Sequence, residues 1–306
     1  MVLCMGRPAE ALEAPLALPA PVAVPGVPRG LLVAMRPRQW VKNLFVLAGV
    51  VFAGKVADPH ALLEAAIAFA AFCAASSAAY LVNDVRNASS DRLHPLKRHR
   101  PIAAGAVAAS FALAASATLA AVSLGAASIL GWRVLLAVAG FLALQVAYTL
   151  SLKKIVLLDV MAIAALFVIR AAAGAEAVHV PISPWLLLCA GLLALFLGFA
   201  KRRAEIVSSP TRDVLADYPL ALVDQLLTVV AASSITTYGI YAFAARPSHW
   251  MMATIPFVIF GMMRYLLLVH QRGLTEEPDR LLLADRHLLA SVAGFAIAAI
   301  AVLQLS

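Results

Sequence analysis

Nine apolar stretches separated by short polar ones organise the chain. They run roughly over 40–56, 61–83, 106–130, 133–151, 155–178, 184–200, 220–244, 250–270 and 287–305. Most come close to the ~20 residues that a helix needs to span bilayer hydrocarbon. The pattern predicts nine membrane-crossing helices. The first stretch is short, and its start is expected to borrow from 29–39. Arg29, Arg36, Arg38 and Trp40 there mark an interfacial approach, shaped by Pro37. Ala, Gly and Ser recur inside the stretches, and small side chains let helix backbones approach closely, so tight packing is expected.

Composition sharpens this. Of 306 residues, 63% are hydrophobic and only 13% charged, with mean hydropathy +0.92. Such a chain is a polytopic membrane protein, an all-α bundle rather than a soluble globule. The net charge of +8 does not point to nucleic acid, because the cations sit in short loops between apolar runs. Anionic membrane lipids and phosphorylated substrates are the better partners. Cys4, Cys73 and Cys189 are far apart and show no metal-ligand spacing. Residues 1–28 are rich in Ala and Pro and lack the order of a signal peptide. They are expected to form a flexible tail ahead of a membrane domain spanning 29–306.

The distribution of charge predicts orientation. With a cytoplasmic N-terminus, all but four of the 24 Lys and Arg fall on the cytoplasmic side; the exceptions are Lys55, Arg133, Arg170 and Arg246. That bias favours nine spans in the plasma membrane with the even-to-odd loops in the cytoplasm.

One of those loops carries the densest polar pattern. Asn83, Asn87 and Asp91 fall near 0°, 40° and 80° on a helix turning about 100° per residue, with Asp84 near 100°. Four oxygen-bearing side chains then share one arc beside a basic run, Arg92 to Arg100. Mg²⁺ takes such ligands and commonly joins carboxylates to substrate phosphates. Spacing alone leaves a second reading open, a solvated helix end followed by a topology-setting loop. The same two readings apply to Lys42, Arg92, Lys97, Arg98, Arg100, Lys201 and Arg202, which are candidate phosphate ligands or lipid-facing cations. Asp159 lies inside an apolar stretch and is expected to face a cavity. Arg170, eleven residues on, sits roughly 16 Å away along the helix, too far to pair with it.

The pattern Asn83-Asp84-x-x-Asn87-x-x-x-Asp91 after the second helix resembles the first motif of the UbiA-type intramembrane prenyltransferase superfamily. Narrower likenesses are Met35 to Asn43, His94 to Gly105, Lys201-Arg202-Arg203-Ala204-Glu205 and Leu281 to Arg286. These resemble the decaprenyl-phosphate phosphoribosyltransferase branch, and the likeness runs from about residue 30 to the end. It implies nine helices around a cytosol-facing polar cavity. It also implies transfer of 5-phosphoribose from phosphoribosyl diphosphate to a polyprenyl phosphate, which yields a cell-wall arabinan precursor. On this basis Asn83, Asp84, Asn87 and Asp91 are expected to hold Mg²⁺. Asp84, Asp91 and Lys42 are expected to act at the reacting phosphates, and Tyr148 and Lys153 to line the cavity. A homo-oligomer stays open. Two departures stand out. Asn87 occupies a place where the motif usually has Asp. Lys201 to Glu205 stands where aromatic-prenylating members carry a second Asp-rich motif. That exchange argues against the alternative, an aromatic-ring polyprenyltransferase. A transporter would show paired repeats with interrupted helices, and none is evident.

Overall fold

The computed structural model describes residues 26–94, 97–208, 217–244, 249–272 and 284–305. The expected tail up to residue 25, Pro95 and Leu96, Arg212, Arg246, Arg280 and Leu281–Leu283 lie outside these. The order is α1 (Val27–Ala34), a 3₁₀ segment (Pro37–Leu47), α2 (Ala48–Phe52), α3 (Pro59–Arg86), α4 (Ala88–Leu93) and α5 (Ala109–Ile129). There follow α6 (Trp132–Leu150), α7 (Leu158–Ala177), α8 (Pro184–Ser208), α9 (Leu220–Ala244), α10 (Ile255–Arg272) and α11 (Arg286–Leu305).

Eight helices among the described residues are long and apolar enough to cross a membrane. The expected nine regular spans need correction at the first. That stretch is 11 residues of 3₁₀ helix and five of α-helix. At about 2.0 and 1.5 Å per residue, the two pieces together reach roughly 30 Å. This segment is not among the eight helices long and apolar enough to cross a membrane. Its docking also explains the irregularity. A Cβ on Gly174 would lie 1.8 Å from the Val46 carbonyl oxygen, and one on Gly49 would meet the backbone of Gly174 and Ala175 at 2.6 Å. The segment therefore packs backbone to backbone on α7, a contact that only glycine permits.

Helix ends follow local chemistry. Asp58 caps α3, accepting from the His60 amide at 2.9 Å, with Pro59 at the first helical position. Asp285 accepts from the Leu288 amide at 2.9 Å and pairs with Arg264 at 2.7 Å. The Arg264 hydrogen bonds, then the Leu288 amide, hold the Asp285 carboxyl well below the usual carboxylate range. Successive helices pack side by side. Phe72 and Phe141 meet edge to face at 5.2 Å in a core of α3, α6 and α7. Phe196 and Tyr265 do so at 5.3 Å in a second core of α8 to α11. Each edge-to-face pair adds a modest term to its buried area. The outer faces expose Phe111, Leu136, Val229 and Ile297, as a lipid-facing surface does.

Candidate active site

A cavity of about 1860 Å³ opens between the two cores. Its polar end is walled by the last turns of α3, by α4, and by the ends of α6 and α8; its remainder is walled by Phe167, Trp185, Leu193, Tyr238 and Phe295. One end suits charge and the other a hydrocarbon chain.

The arc of four polar residues is bent. α3 ends at Arg86, Asn87 forms the joint, and α4 begins at Ala88. The single helix expected there is not continuous, yet its register survives. The Asn87 amide donates to Asn83 O at 3.0 Å and the Asp91 amide to Asn87 O at 2.8 Å. Asn83, Asn87 and Asp91 line the cavity, with Asp84 buried beside them. The Asn87 side-chain amide donates to Asn83 Oδ1 at 3.1 Å.

The two carboxylates converge. Arg100 Nη1 donates to Asp91 Oδ2 at 2.7 Å and to Asp84 Oδ1 at 3.4 Å. Arg36 donates to the same Asp84 oxygen and lies 4.9 Å over the Tyr80 ring. A cationic nitrogen thus already stands between the carboxylates, which is where a divalent ion would bind. Together with two amide oxygens the donor set is all oxygen, as Mg²⁺ requires. Among the described residues no three His, Cys, Asp or Glu groups converge as a metal cluster. The neutral amides must therefore complete the set, and the residues fit the expected ion on those terms.

Of the other candidates, Lys42, Lys97, Tyr148, Lys153 and Lys201 line the cavity. Lys42 also bonds Gln39. Arg92 does not line it; its Nε donates to Ala103 O at 3.1 Å. Arg98 is exposed and bonds the His99 ring at 3.3 Å. Asp159 and Arg202 do not face the cavity as expected: they bond each other. Arg202 Nε donates to Asp159 Oδ2 at 2.6 Å, its Nη1 to Glu205, and its Nη2 to the Tyr148 hydroxyl at 3.4 Å. Helix α8 runs on to Ser208, so Lys201 to Glu205 is helical rather than a loop. That places Arg202 and Glu205 one turn apart. Asp159 Oδ1 accepts from the Tyr218 hydroxyl at 2.6 Å, and that hydroxyl accepts the Leu157 amide at 2.6 Å. This braces Leu157 at φ +67. Burial, then the bond to Asp159, pushes the Tyr218 phenol well above its ordinary range.

Three residues of the cavity were not among the expected site. Arg36 reads in the sequence as one more topology-setting cation. Asp217 lines the cavity four residues after Asp213, which lies outside the described residues. Acidic groups are thus not absent from the region between α8 and α9, and the spacing Asp213-x-x-x-Asp217 was the available signal. Arg170 also reaches the cavity wall, bonding Asn43 at 2.7 Å.

A profile described as the UbiA prenyltransferase family matches residues 43–284. The chain is 35% identical over 278 residues to the decaprenyl-phosphate phosphoribosyltransferase of Mycolicibacterium smegmatis, covering 84% of this chain and 87% of that one. It is 34% identical over 272 residues to the protein of the same name from Corynebacterium glutamicum, covering 84% and 81%. The structure of a UbiA homolog from Archaeoglobus fulgidus bound to GPP and Mg²⁺ superposes with a TM-score of 0.71 at 17% identity, over 90% of this chain and all of that one. At that identity the likeness concerns the fold.

Proposed function

The chain belongs to the UbiA prenyltransferase family, and we propose that it transfers 5-phosphoribose from phosphoribosyl diphosphate to a polyprenyl phosphate, releasing diphosphate. Decaprenyl phosphate is the acceptor that its relatives' name gives. The chain is a multi-pass membrane transferase. The observation that carries the reading is the pair Asp84 and Asp91, converging on one cationic nitrogen at the polar mouth of a cavity whose depth is apolar.

Asp84 and Asp91, with Asn83 and Asn87 as neutral partners, would hold Mg²⁺, which would neutralise charge on the diphosphate leaving group. Arg36 and Arg100 release the carboxylates as the donor arrives and turn to its phosphates, where charge-assisted bonds are strong. Lys42, Lys97, Lys153 and Lys201 keep the mouth positive and stabilise charge developing on the diphosphate. An acceptor phosphate oxygen forms the bond to C1 while the C1–O bond to diphosphate breaks, its electron pair leaving with diphosphate. The acceptor is already ionised, so no strong general base is needed. Helix α4 and the turn at Lys97–His99 border the mouth and limit water. The charge bias supports a plasma-membrane location with this mouth and the N-terminus in the cytoplasm.

The test is direct. Purified protein with Mg²⁺, ribose-labelled phosphoribosyl diphosphate and decaprenyl phosphate should yield a labelled lipid, and chelation should abolish it. No labelled lipid with any polyprenyl phosphate would overturn the reading. Asp217 in the cavity favours a second reading, prenyl transfer to an aromatic ring. Prenylation of 4-hydroxybenzoate without phosphoribosyl transfer would establish it.

A further inference from the structure

Arg170 is 4% exposed, in the middle of α7, and forms part of the cavity wall. Its Nε donates to Asn43 Oδ1 at 2.7 Å, its Nη1 to Leu166 O at 3.0 Å and its Nη2 to Ser76 Oγ at 3.5 Å. The Phe141 and Phe167 rings lie 4.5 and 5.2 Å from its guanidinium carbon. Every partner is neutral. Among the described residues no carboxylate pairs with it, whereas buried Arg202 has two. An isolated cation inside a membrane protein is costly, and ring faces and neutral oxygens offset only part of that. Guanidinium has five N–H donors, and the three bonds use three of them. A positive charge without a counter-ion, on the wall of a ligand-sized cavity, fits an anion brought by the ligand.

Its depth identifies which anion. Ser76 precedes Asp84 by eight residues on α3, about 12 Å at 1.5 Å per residue. Resting on the phosphoribosyl-transfer reading above, two anionic groups must flank the ribose: the departing diphosphate and the attacking phosphate. Asp84, Asp91 and the basic mouth hold the first. We infer that Arg170 forms the subsite for the second, binding the phosphomonoester head of the polyprenyl acceptor below the ribose. The Phe167, Trp185 and Phe295 walls then receive its tail. The separation keeps two anions from repelling each other in one pocket.

The test uses the full-length protein in lipid nanodiscs, with unfolding temperature checked for each variant. The probes are farnesyl monophosphate and farnesol, measured for binding, with decaprenyl phosphate and phosphoribosyl diphosphate varied separately in kinetics. Wild type should bind the monophosphate at least about ten-fold more tightly than the alcohol, as a charge-assisted contact predicts. Arg170→Gln should erase that preference and raise the acceptor KM about ten- to a hundred-fold, leaving the donor KM within about two-fold. Arg170→Lys should recover part of both, and it decides the matter if Arg170→Gln does not fold. Wild type without a phosphate preference would overturn the subsite. So would a preference unchanged in Arg170→Gln, or donor and acceptor KM rising together. If wild type transfers no phosphoribose to any acceptor, the functional reading fails. A phosphate preference lost with Arg170 would still establish an anion site for isoprenoid monophosphates.

Discussion

At the polar end of the bundle, Arg100 bridges Asp84 and Asp91 on the α3 side, and Arg202 bridges Asp159 and Glu205 on the α7–α8 side. The residue types match, but the settings differ. The Arg100 side chain is 29% exposed and borders the cavity; that of Arg202 is 1% exposed and its partner Asp159 fully buried. Under the proposed function, an incoming ligand would replace one partner of Arg100 with another. Arg202 and Asp159 do not line the cavity, although their neighbours Glu205 and Tyr148 do; Arg202 Nη2 donates to the Tyr148 hydroxyl and the Tyr218 hydroxyl donates to Asp159. Under the proposed function the first cluster holds exchangeable charges. The second fastens α8 to the start of α7 and so fixes Lys153 and Lys201 at the rim. Access to the cavity, not the presence of paired charges, separates a site from a strut.

The largest effect should come from breaking the strut. Arg202→Met leaves Asp159 buried without its cation and Glu205 with only Lys201 at 3.9 Å, a loss of about 3–5 kcal/mol in typical cases of a broken buried pair. We expect a large drop in unfolding temperature in detergent, and little purified protein. Near wild-type stability with only a raised donor KM would give Arg202 the role assigned here to Arg100.

Next comes the exchangeable cluster. Asp84→Asn removes a charge with almost no change of shape. Turnover should fall by more than about a hundred-fold, the upper end of what loss of even an outer partner of a metal ligand costs. Circular dichroism and unfolding temperature should stay close to wild type. Retained turnover at low Mg²⁺ would remove Asp84 from the metal site. Arg100→Gln should be milder. It should raise the donor KM about ten- to a hundred-fold, with the acceptor KM nearly unchanged. Steady-state kinetics in both substrates check this, and equal effects on both would make Arg100 a general structural residue.

How much of this the chain discloses without coordinates depends on range. The stretch predicted at 220–244 is a helix over Leu220–Ala244, because long apolar runs fix helix ends locally. Asn83 to Asp91 was legible for the same reason: helical spacing brings its members together even through the bend at Asn87. The 3₁₀ segment was not legible, since its shape follows from contact with Gly174, more than a hundred residues away. Arg36, in the left-handed region at φ +54 before Pro37, reaches Asp84 through that same fold. Asp159 and Arg202 each looked like a cavity residue alone, and nothing in the spacing between them signals a bond. Long-range pairing decides which charges remain available for a ligand, and it is what local pattern does not encode.

The smallest expected effect tests the finest detail of the exchangeable cluster. Asn87 donates its amide to Asn83 Oδ1 at 3.1 Å and lines the cavity. Asn87→Asp removes that donor and adds a carboxylate about the place where the related motif carries one. The Asn83 amide can answer by rotating so that its NH₂ faces the new carboxylate, which keeps one hydrogen bond and changes no volume. Folding should therefore be unaffected. Metal binding gains a third negative ligand, and hard cations bind more tightly as ligand charge rises. The Mg²⁺ concentration for half-maximal activity should drop by a few-fold, roughly the 1 kcal/mol scale of one surface-accessible charge contact. Maximal turnover should change less, because wild type already reaches the same bound state at saturating metal. A Mg²⁺ titration of both proteins at fixed donor decides it. A higher Mg²⁺ requirement in Asn87→Asp would mean that position 87 serves through its amide donor to Asn83, and that the ion rests on Asp84 and Asp91 without it.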